Sequence, residues 1–236
     1  MQTERSNSRS LQIRRMFGEI AGQYDLLNRL MTFGQDRVWR QRAVRAAQIP
    51  DGGRILDVGT GTGSIALDAL KRGKNLRVVG ADFTAGMIMV GRRRPGGNRV
   101  TWVNADALSL PFDDACFDAV TSGYLIRNVS DAARAFREQA RVVKPGGRVV
   151  CLETSPPPEG PLRPWLLFFL NRAIPLLGHA VAGNRSAYTY LPQTTQAFLS
   201  PQQVCAVMRS AGLEHIRYQR FMFGTIAVHV GVRPLS

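Results

Sequence analysis

From residue 55 onward, short apolar runs alternate with stretches of helical period. ILDV (55–58), RVVGAD (77–82), VTWVNAD (100–106), FDAVTS (117–122) and RVVCLE (148–153) are rich in Val, Ile and aromatic residues and read as buried strands. After Asp131, residues Ala132, Ala133, Phe136, Ala140 and Val143 recur at helical spacing, with Arg134, Arg137, Glu138 and Arg141 mostly on the other side. KPGG at 144–147 is expected to stop that helix and turn the chain into the next strand. Five strands joined by crossover helices predict a doubly wound, mostly parallel α/β sheet.

The flanks follow other patterns. An amphipathic helical region at roughly 11–48 precedes the strands. Beyond 153 the pattern breaks at the proline-rich SPPPEGP, and an insertion of helical character follows. Ser200 is placed to cap a last helix with Pro201 in its first turn. The runs around HIRYQR and GTIAVHVGV then read as an antiparallel pair closing the sheet. The expected organisation is one domain over 1–236: a helical cap at 11–48, a ligand-binding core at 49–153, a helical insertion or substrate lid at 154–199, and a terminal helix with strands at 200–236.

Charge and cysteine usage narrow the class. The 31 Lys and Arg outweigh the 17 Asp and Glu, giving a net charge of +14. Such a balance suits an anionic partner, nucleic acid or an acidic membrane surface, and equally an arginine-rich composition with no such role. Three cysteines (Cys116, Cys151, Cys205) and three histidines (His179, His215, His229) are scattered without ligand spacing, so the expectation is a reduced, intracellular protein without metal. The first fifteen residues carry Arg5, Arg9, Arg14 and Arg15 but no apolar core of a secretory signal, and read as a frayed basic arm.

The candidate chemistry sits at ILDVGTGTGS, residues 55–64. Gly59, Gly61 and Gly63 lie where a strand becomes a helix, and a bare backbone there lets a ligand reach N–H groups and the helix N-terminus. A nucleoside triphosphate loop needs GxxxxGK before Ser or Thr, and a dinucleotide loop needs a glycine where Ser64 stands. S-adenosylmethionine instead needs a carboxylate for its ribose, an acceptor for its adenine amine and glycines under its amino-acid tail. Asp82 is the ribose candidate, Phe83 and Met87 can stack on adenine, Asp106 with Ala107 after it can accept from the amine, and Asp57 can reach the ammonium through water. Taken singly, Asp82 suits a helix cap, Met87 core filling and Asp106 a turn.

Several motifs resemble the ubiquinone/menaquinone biosynthesis C-methyltransferases, a Rossmann-like class I family: MFGEIAGQYDLLNRLMTFGQDRVWR (16–40), LDVGTGTG (56–63), GADFTAGM (80–87), ADALSLPF (105–112), LIRNVSD (125–131), RVVKPGGR (141–148) and YTYLPQTTQAF (188–198). YDLLNRLMTFG together with IRNV is the specific pair. The resemblance implies methyl transfer from S-adenosylmethionine to a ring carbon of a prenylated quinol, as from demethylmenaquinol to menaquinol, with the benzoquinol of ubiquinone synthesis as the alternative. Carried over to matching positions, Thr62, Asp82, Asp106, Ala107 and Ser122 contact the cofactor beside the loop Gly59, Thr60, Gly61 and Gly63, and Tyr24 lines its pocket. Gln193, Ala85 and His179 depart from the usual pattern and bear on substrate identity.

A quinol carbon becomes nucleophilic when a neighbouring hydroxyl loses its proton, so the site must stabilise a phenolate. Arg127, past the fourth strand, is the candidate for that electrostatic role, with Asn128 as its hydrogen-bonding partner and Tyr188 as a substrate-pocket residue. The structural alternative pairs Arg127 with Asp131 or Asp25, and His179 and Tyr190 are further proton acceptors to weigh.

PLRPWLLFFLNRAIPLLGHAVAG is the densest apolar stretch, but Arg163, Asn171, Arg172 and His179 interrupt it, so it is no membrane span. It suits a lid at headgroup depth, making the protein cytoplasmic and peripherally bound to an anionic membrane, or else a homodimer interface. The competing functions are methylation of a small phenol or of RNA, for which no RNA-binding module is present, and a non-catalytic cofactor- or prenyl-lipid-binding role in a biosynthetic complex.

Overall fold

A computed structural model describes residues 24–173, 176 and 194–235. Two short helices, α1 (Tyr24–Met31) and α2 (Asp36–Ala46), lead into β1 (Arg54–Val58), α3 (Ser64–Arg72), β2 (Arg77–Asp82), α4 (Ala85–Arg93) and β3 (Val100–Asn104). There follow β4 (Phe117–Gly123), a single 3-10 turn (Ile126–Asn128), α5 (Ala132–Val142) and β5 (Val143–Thr154). In the insertion, α6 (Arg163–Phe168) runs into a π-helical turn (Phe169–Ala173), and the chain closes with α7 (Pro201–Ser210), β6 (Glu214–Phe221) and β7 (Ile226–Val232).

The seven strands form one sheet in the order β3-β2-β1-β4-β5-β7-β6. β1 pairs in parallel with β2 and with β4, so the carboxyl ends of β1 and β4 diverge into the crevice where open α/β sheets bind ligands. The terminal pair is antiparallel, as the sequence leads one to expect, with β7 lying between β5 and β6 and β6 at the edge.

Alternate side chains on each strand face opposite layers. Leu56, Val58, Val120 and Val149 pack with Phe136 of α5 and Met208 of α7, while Ile55, Ala119, Val150 and Leu152 pack with Trp39 of α2 and Leu67 of α3. Each strand of this centre is buried on both faces, the reason its sequence runs nearly without polar interruption.

Local signals hold at the helix starts. Asp131 accepts from the Arg134 N–H at 2.8 Å, and Ser200 with Gln203 forms a capping box at α7. Two boundaries differ from expectation. β3 ends at Asn104 instead of Asp106, because Asp106 turns back to accept from the Leu108 N–H at 2.9 Å. KPGG does not separate helix from strand: β5 begins at Val143, and the extra residues are absorbed as a bulge between the pairs Phe117–Val143 and Ala119–Arg148.

Candidate active site

The loop after β1 is built from alternating glycines in left-handed conformation: φ is 65° at Gly59, 57° at Gly61 and 81° at Gly63. Thr60 ties the loop to β2, its N–H donating to the Ala81 carbonyl at 3.0 Å. A Cβ at Gly61 would meet nothing, whereas one at Gly63 would lie 2.4 Å from the Trp102 ring. Gly63 is therefore bare to admit Trp102 from β3, and it is not among the residues that line the cavity.

Beneath the loop, Asp57 is withdrawn from solvent and accepts from the Thr60 hydroxyl at 2.7 Å and the Thr121 hydroxyl at 2.9 Å. Burial raises its pKa to about 7, and the two hydroxyls offset that only in part. It lines one cavity of about 200 Å³ with Gly59, Thr60, Gly61 and Thr62.

Asp82, at the end of β2, accepts from the Gly61 N–H and the Thr84 N–H, each at 2.7 Å. Burial pushes its pKa up, against those two bonds. It thus organises the glycine loop and the start of α4 while still facing the cavity, along with Phe83, Met87, Asp106 and Ala107. Ser122 is not on this wall. It is buried in β4, its hydroxyl 3.5 Å from the Gln139 amide oxygen, because alternation along β4 turns its side chain into the core layer under α5.

Helix α1 supplies a wall that strand periodicity could not announce. Its Asp25 accepts from the Thr62 hydroxyl at 3.0 Å, the Ser64 hydroxyl at 3.0 Å and Arg94 Nη1 at 2.8 Å. Arg94 also donates to the Thr62 carbonyl at 3.1 Å. The cap helix is therefore pinned onto the glycine loop, over the cavity that Asp25 and Asn28 line. The Tyr24 side chain, like Tyr188, Tyr190, His179 and Gln193, lies outside the described residues.

Arg40 of α2 reaches the same cavity, its Nε on Asp68 of α3 at 3.1 Å and its Nη1 on Asp36. Burial works against its charge, but the two carboxylates overcome it and leave the pKa above that of an ordinary arginine.

The structure revises the reading of Arg127. Its side chain is buried and its Nη1 donates to Glu153 at 2.6 Å and to Thr154 Oγ1 at 3.0 Å. It does not line the cavity, and its partner is neither Asp131, which caps α5, nor Asp25. Glu153 has no solvent exposure at the end of β5, and a buried carboxylate demands a cation within reach. The Arg127 guanidinium also lies 5.1 Å from the centre of the Tyr124 ring. Tyr124 takes φ of 57°, a conformation costing about 1–2 kcal/mol for a residue with a side chain. Asn128 donates to the Tyr124 carbonyl at 2.8 Å, and Tyr124 and Asn128 both line the cavity. Arg127 thus supports the wall on which Tyr124 and Asn128 stand.

The missed residues are Asp25, Arg40, Arg94 and Glu153. Glu153 carried the same signal as Asp57 and Asp82, an acid at the carboxyl end of a buried strand. Among the described residues, the cavity wall holds four carboxyl groups (Asp25, Asp57, Asp82, Asp106) and one cationic side chain, Arg40. That donor set fits a ligand with a sulfonium, an ammonium, one carboxylate and ribose hydroxyls, and it repels a pyrophosphate. Among the described residues, no group of three or more His, Cys, Asp or Glu could hold a metal ion.

The family model described as the ubiE/COQ5 methyltransferase family matches residues 3–233. The chain is 46% identical to a demethylmenaquinone methyltransferase of Thermus thermophilus over 93% of its own length and 100% of the relative's. It is 43% identical to the ubiquinone/menaquinone biosynthesis C-methyltransferase UbiE of Desulfotalea psychrophila, over 94% and 90% of the two chains. Among solved structures, a SAM-dependent methyltransferase of Thermotoga maritima superposes with a TM-score of 0.64 at 21% identity, covering 93% of this chain and 98% of that one. The cyclase SpnF superposes with a TM-score of 0.70 at 19% identity, covering 96% and 97%. At those identities the likeness is one of fold, which by itself does not choose the chemistry.

Proposed function

This chain belongs to the ubiE/COQ5 methyltransferase family, and from that premise we propose that it methylates a ring carbon of a prenylated quinol, converting demethylmenaquinol to menaquinol. The observation that carries the substrate is the 46% identity to a demethylmenaquinone methyltransferase across the whole of that relative. Bound S-adenosylmethionine supplies an activated methyl group on a sulfonium.

What remains for the protein is alignment, charge and exclusion of water. Asp82 takes the ribose hydroxyls, Asp106 the adenine amine, and Asp57 with Asp25 the positive charge of the cofactor. Asn128 and Tyr124 face the side on which the quinol enters, and Arg127 holds them in place through its pair with Glu153. Tyr188 is retained as a substrate-pocket candidate. The experiment is incubation of the protein with methyl-labelled S-adenosylmethionine and reduced demethylmenaquinone in vesicles, with the benzoquinol and the oxidised quinone as controls. Label on the naphthoquinol alone supports the reading. Label on the benzoquinol alone moves the assignment to ubiquinone synthesis, and cofactor binding without label on any quinol favours a non-catalytic role.

Peripheral association with an anionic membrane is part of the proposal. Phe33, between α1 and α2, and Trp165 of α6 both stack on Phe169, with centroids 6.2 and 6.0 Å apart. Phe33, Trp165 and Phe168 are 73, 58 and 64% exposed, and Arg163 lies on the same helix as Trp165. Exposed aromatics beside arginine, on a chain of net charge +14, suit headgroup depth, and no described helix is long and apolar enough to cross a bilayer. Cosedimentation with phosphatidylglycerol vesicles, lost on Trp165→Ser with Phe168→Ser, is the expected result. A protein that ignores vesicles but sediments as a dimer until those residues are changed would assign the face to self-association.

A further inference from the structure

We propose that Arg40 binds the carboxylate of the cofactor's amino-acid tail, held in place for that task by Asp36 and Asp68. The inference rests on the S-adenosylmethionine reading above and adds a residue that neither the glycine loop nor the strand ends point to. Among the described residues the cavity is lined by four carboxyl groups, which match the ligand's cationic centres but leave its one carboxylate opposed. Arg40 is the single cationic side chain among the described lining residues. Its pairing with Asp68 sets it against α3, the helix that begins directly after the glycine loop, where the tail must lie if the ribose is at Asp82.

The guanidinium is aimed rather than loose. Asp68 takes Nε and Asp36 takes Nη1, and Asp36 is itself held by the Thr32 hydroxyl at 3.2 Å. The second Nη makes no hydrogen bond among the described residues. A planar fork held by carboxylates at Nε and Nη1 presents Nη2 in one direction, which suits recognition of a carboxylate. The side chain also joins α2 to α3, so seating the tail would couple to the packing of the helical cap.

Calorimetric titration of the full chain with S-adenosylhomocysteine and with the same thioether lacking the carboxyl group tests this without turnover. The wild type is expected to bind the carboxylate-bearing ligand roughly tenfold to a hundredfold more tightly, the range of a charge-assisted hydrogen bond. Arg40→Gln should abolish that preference, leaving the two ligands within about twofold, and Arg40→Lys should keep a reduced preference because one ammonium cannot hold Asp36, Asp68 and the ligand in fork geometry. A wild type that does not discriminate, or an Arg40→Gln variant that discriminates as the wild type does, overturns the proposal. Should Arg40→Gln not fold, the wild-type preference and the Arg40→Lys ratio still decide it. Failure of the wild type to bind either thioether would instead remove the cofactor reading on which the proposal rests.

Discussion

The guanidinium of Arg127 and the carboxylate of Glu153, 26 residues apart, meet at 2.6 Å with both side chains buried. Removing one partner leaves the other charge stranded, so Arg127→Ala should cost roughly 3–5 kcal/mol. For a chain of this size each kcal/mol lowers Tm by about 2–4 °C. A double substitution, Arg127→Met with Glu153→Leu, should recover most of the loss in thermal denaturation. An Arg127→Ala protein that melts within about 2 °C of the wild type would rule out the structural role.

Asp57 predicts opposite effects on stability and binding. Its folded pKa of about 7 lies above its ordinary value of 3.8, so the stability linked to its protonation is complete below pH 3.8 and is lost as the pH rises through 7. Asp57→Asn should therefore melt higher than the wild type at pH 8, by about 5 °C or more, with the difference shrinking towards pH 4. The same variant should bind S-adenosylhomocysteine at least tenfold more weakly, since a charge-assisted contact is lost. A cofactor cation should also draw the pKa down, so titrations at pH 7 in buffers of different ionisation enthalpy should show release of about half a proton. A Tm difference that does not change with pH would contradict the assignment.

The clamp of Asp25 on Arg94, Thr62 and Ser64 is partly exposed, so its worth to global stability is small, about 1 kcal/mol or less. Its worth to the cavity is larger, because α1 forms one wall. Asp25→Asn and Arg94→Gln should each raise the Kd for S-adenosylhomocysteine several-fold while moving Tm by under about 3 °C. High salt should weaken wild-type binding in the same direction. Unchanged Kd values in both variants would mean that α1 closes the cavity without help from this clamp.

Trp102 fills the space left by two glycines. A Cβ at Gly91 would lie 2.3 Å from its ring, and one at Gly63 would lie 2.4 Å away with φ of 81° besides. Gly91→Ala should destabilise by about 1–3 kcal/mol through overpacking. Gly63→Ala should cost more, since it adds left-handed strain of about 1–2 kcal/mol. A second change, Trp102→Leu, should relieve the Gly91 variant in chemical denaturation but only part of the Gly63 defect. Equal rescue of both would show that the backbone conformation at Gly63 carries no cost.

Much of the fold is legible because its signals are local. A buried strand needs side chains that fit both faces of a sheet, a helix start needs a cap, and both requirements fall on residues a few positions apart, as at RVVGAD and at Ser200 with Gln203. The motifs YDLLNRLMTFG and IRNV point to the family for the same reason, and acids at the carboxyl ends of β1 and β2 mark the cavity from the sequence alone.

The tertiary structure decided which charges meet. Arg127 found Glu153 because β4 and β5 are neighbours, and Asp25 found Arg94, 69 residues away, because α1 folds over the glycine loop. Arg40 reached the cavity through Asp68, and β7 took its place between β5 and β6. Periodicity records the geometry of the local backbone, whereas these pairings depend on the order of strands and the packing of distant helices. They follow from burying the whole chain at once, so the sequence by itself determined the elements and the family, and the folded arrangement determined the partners.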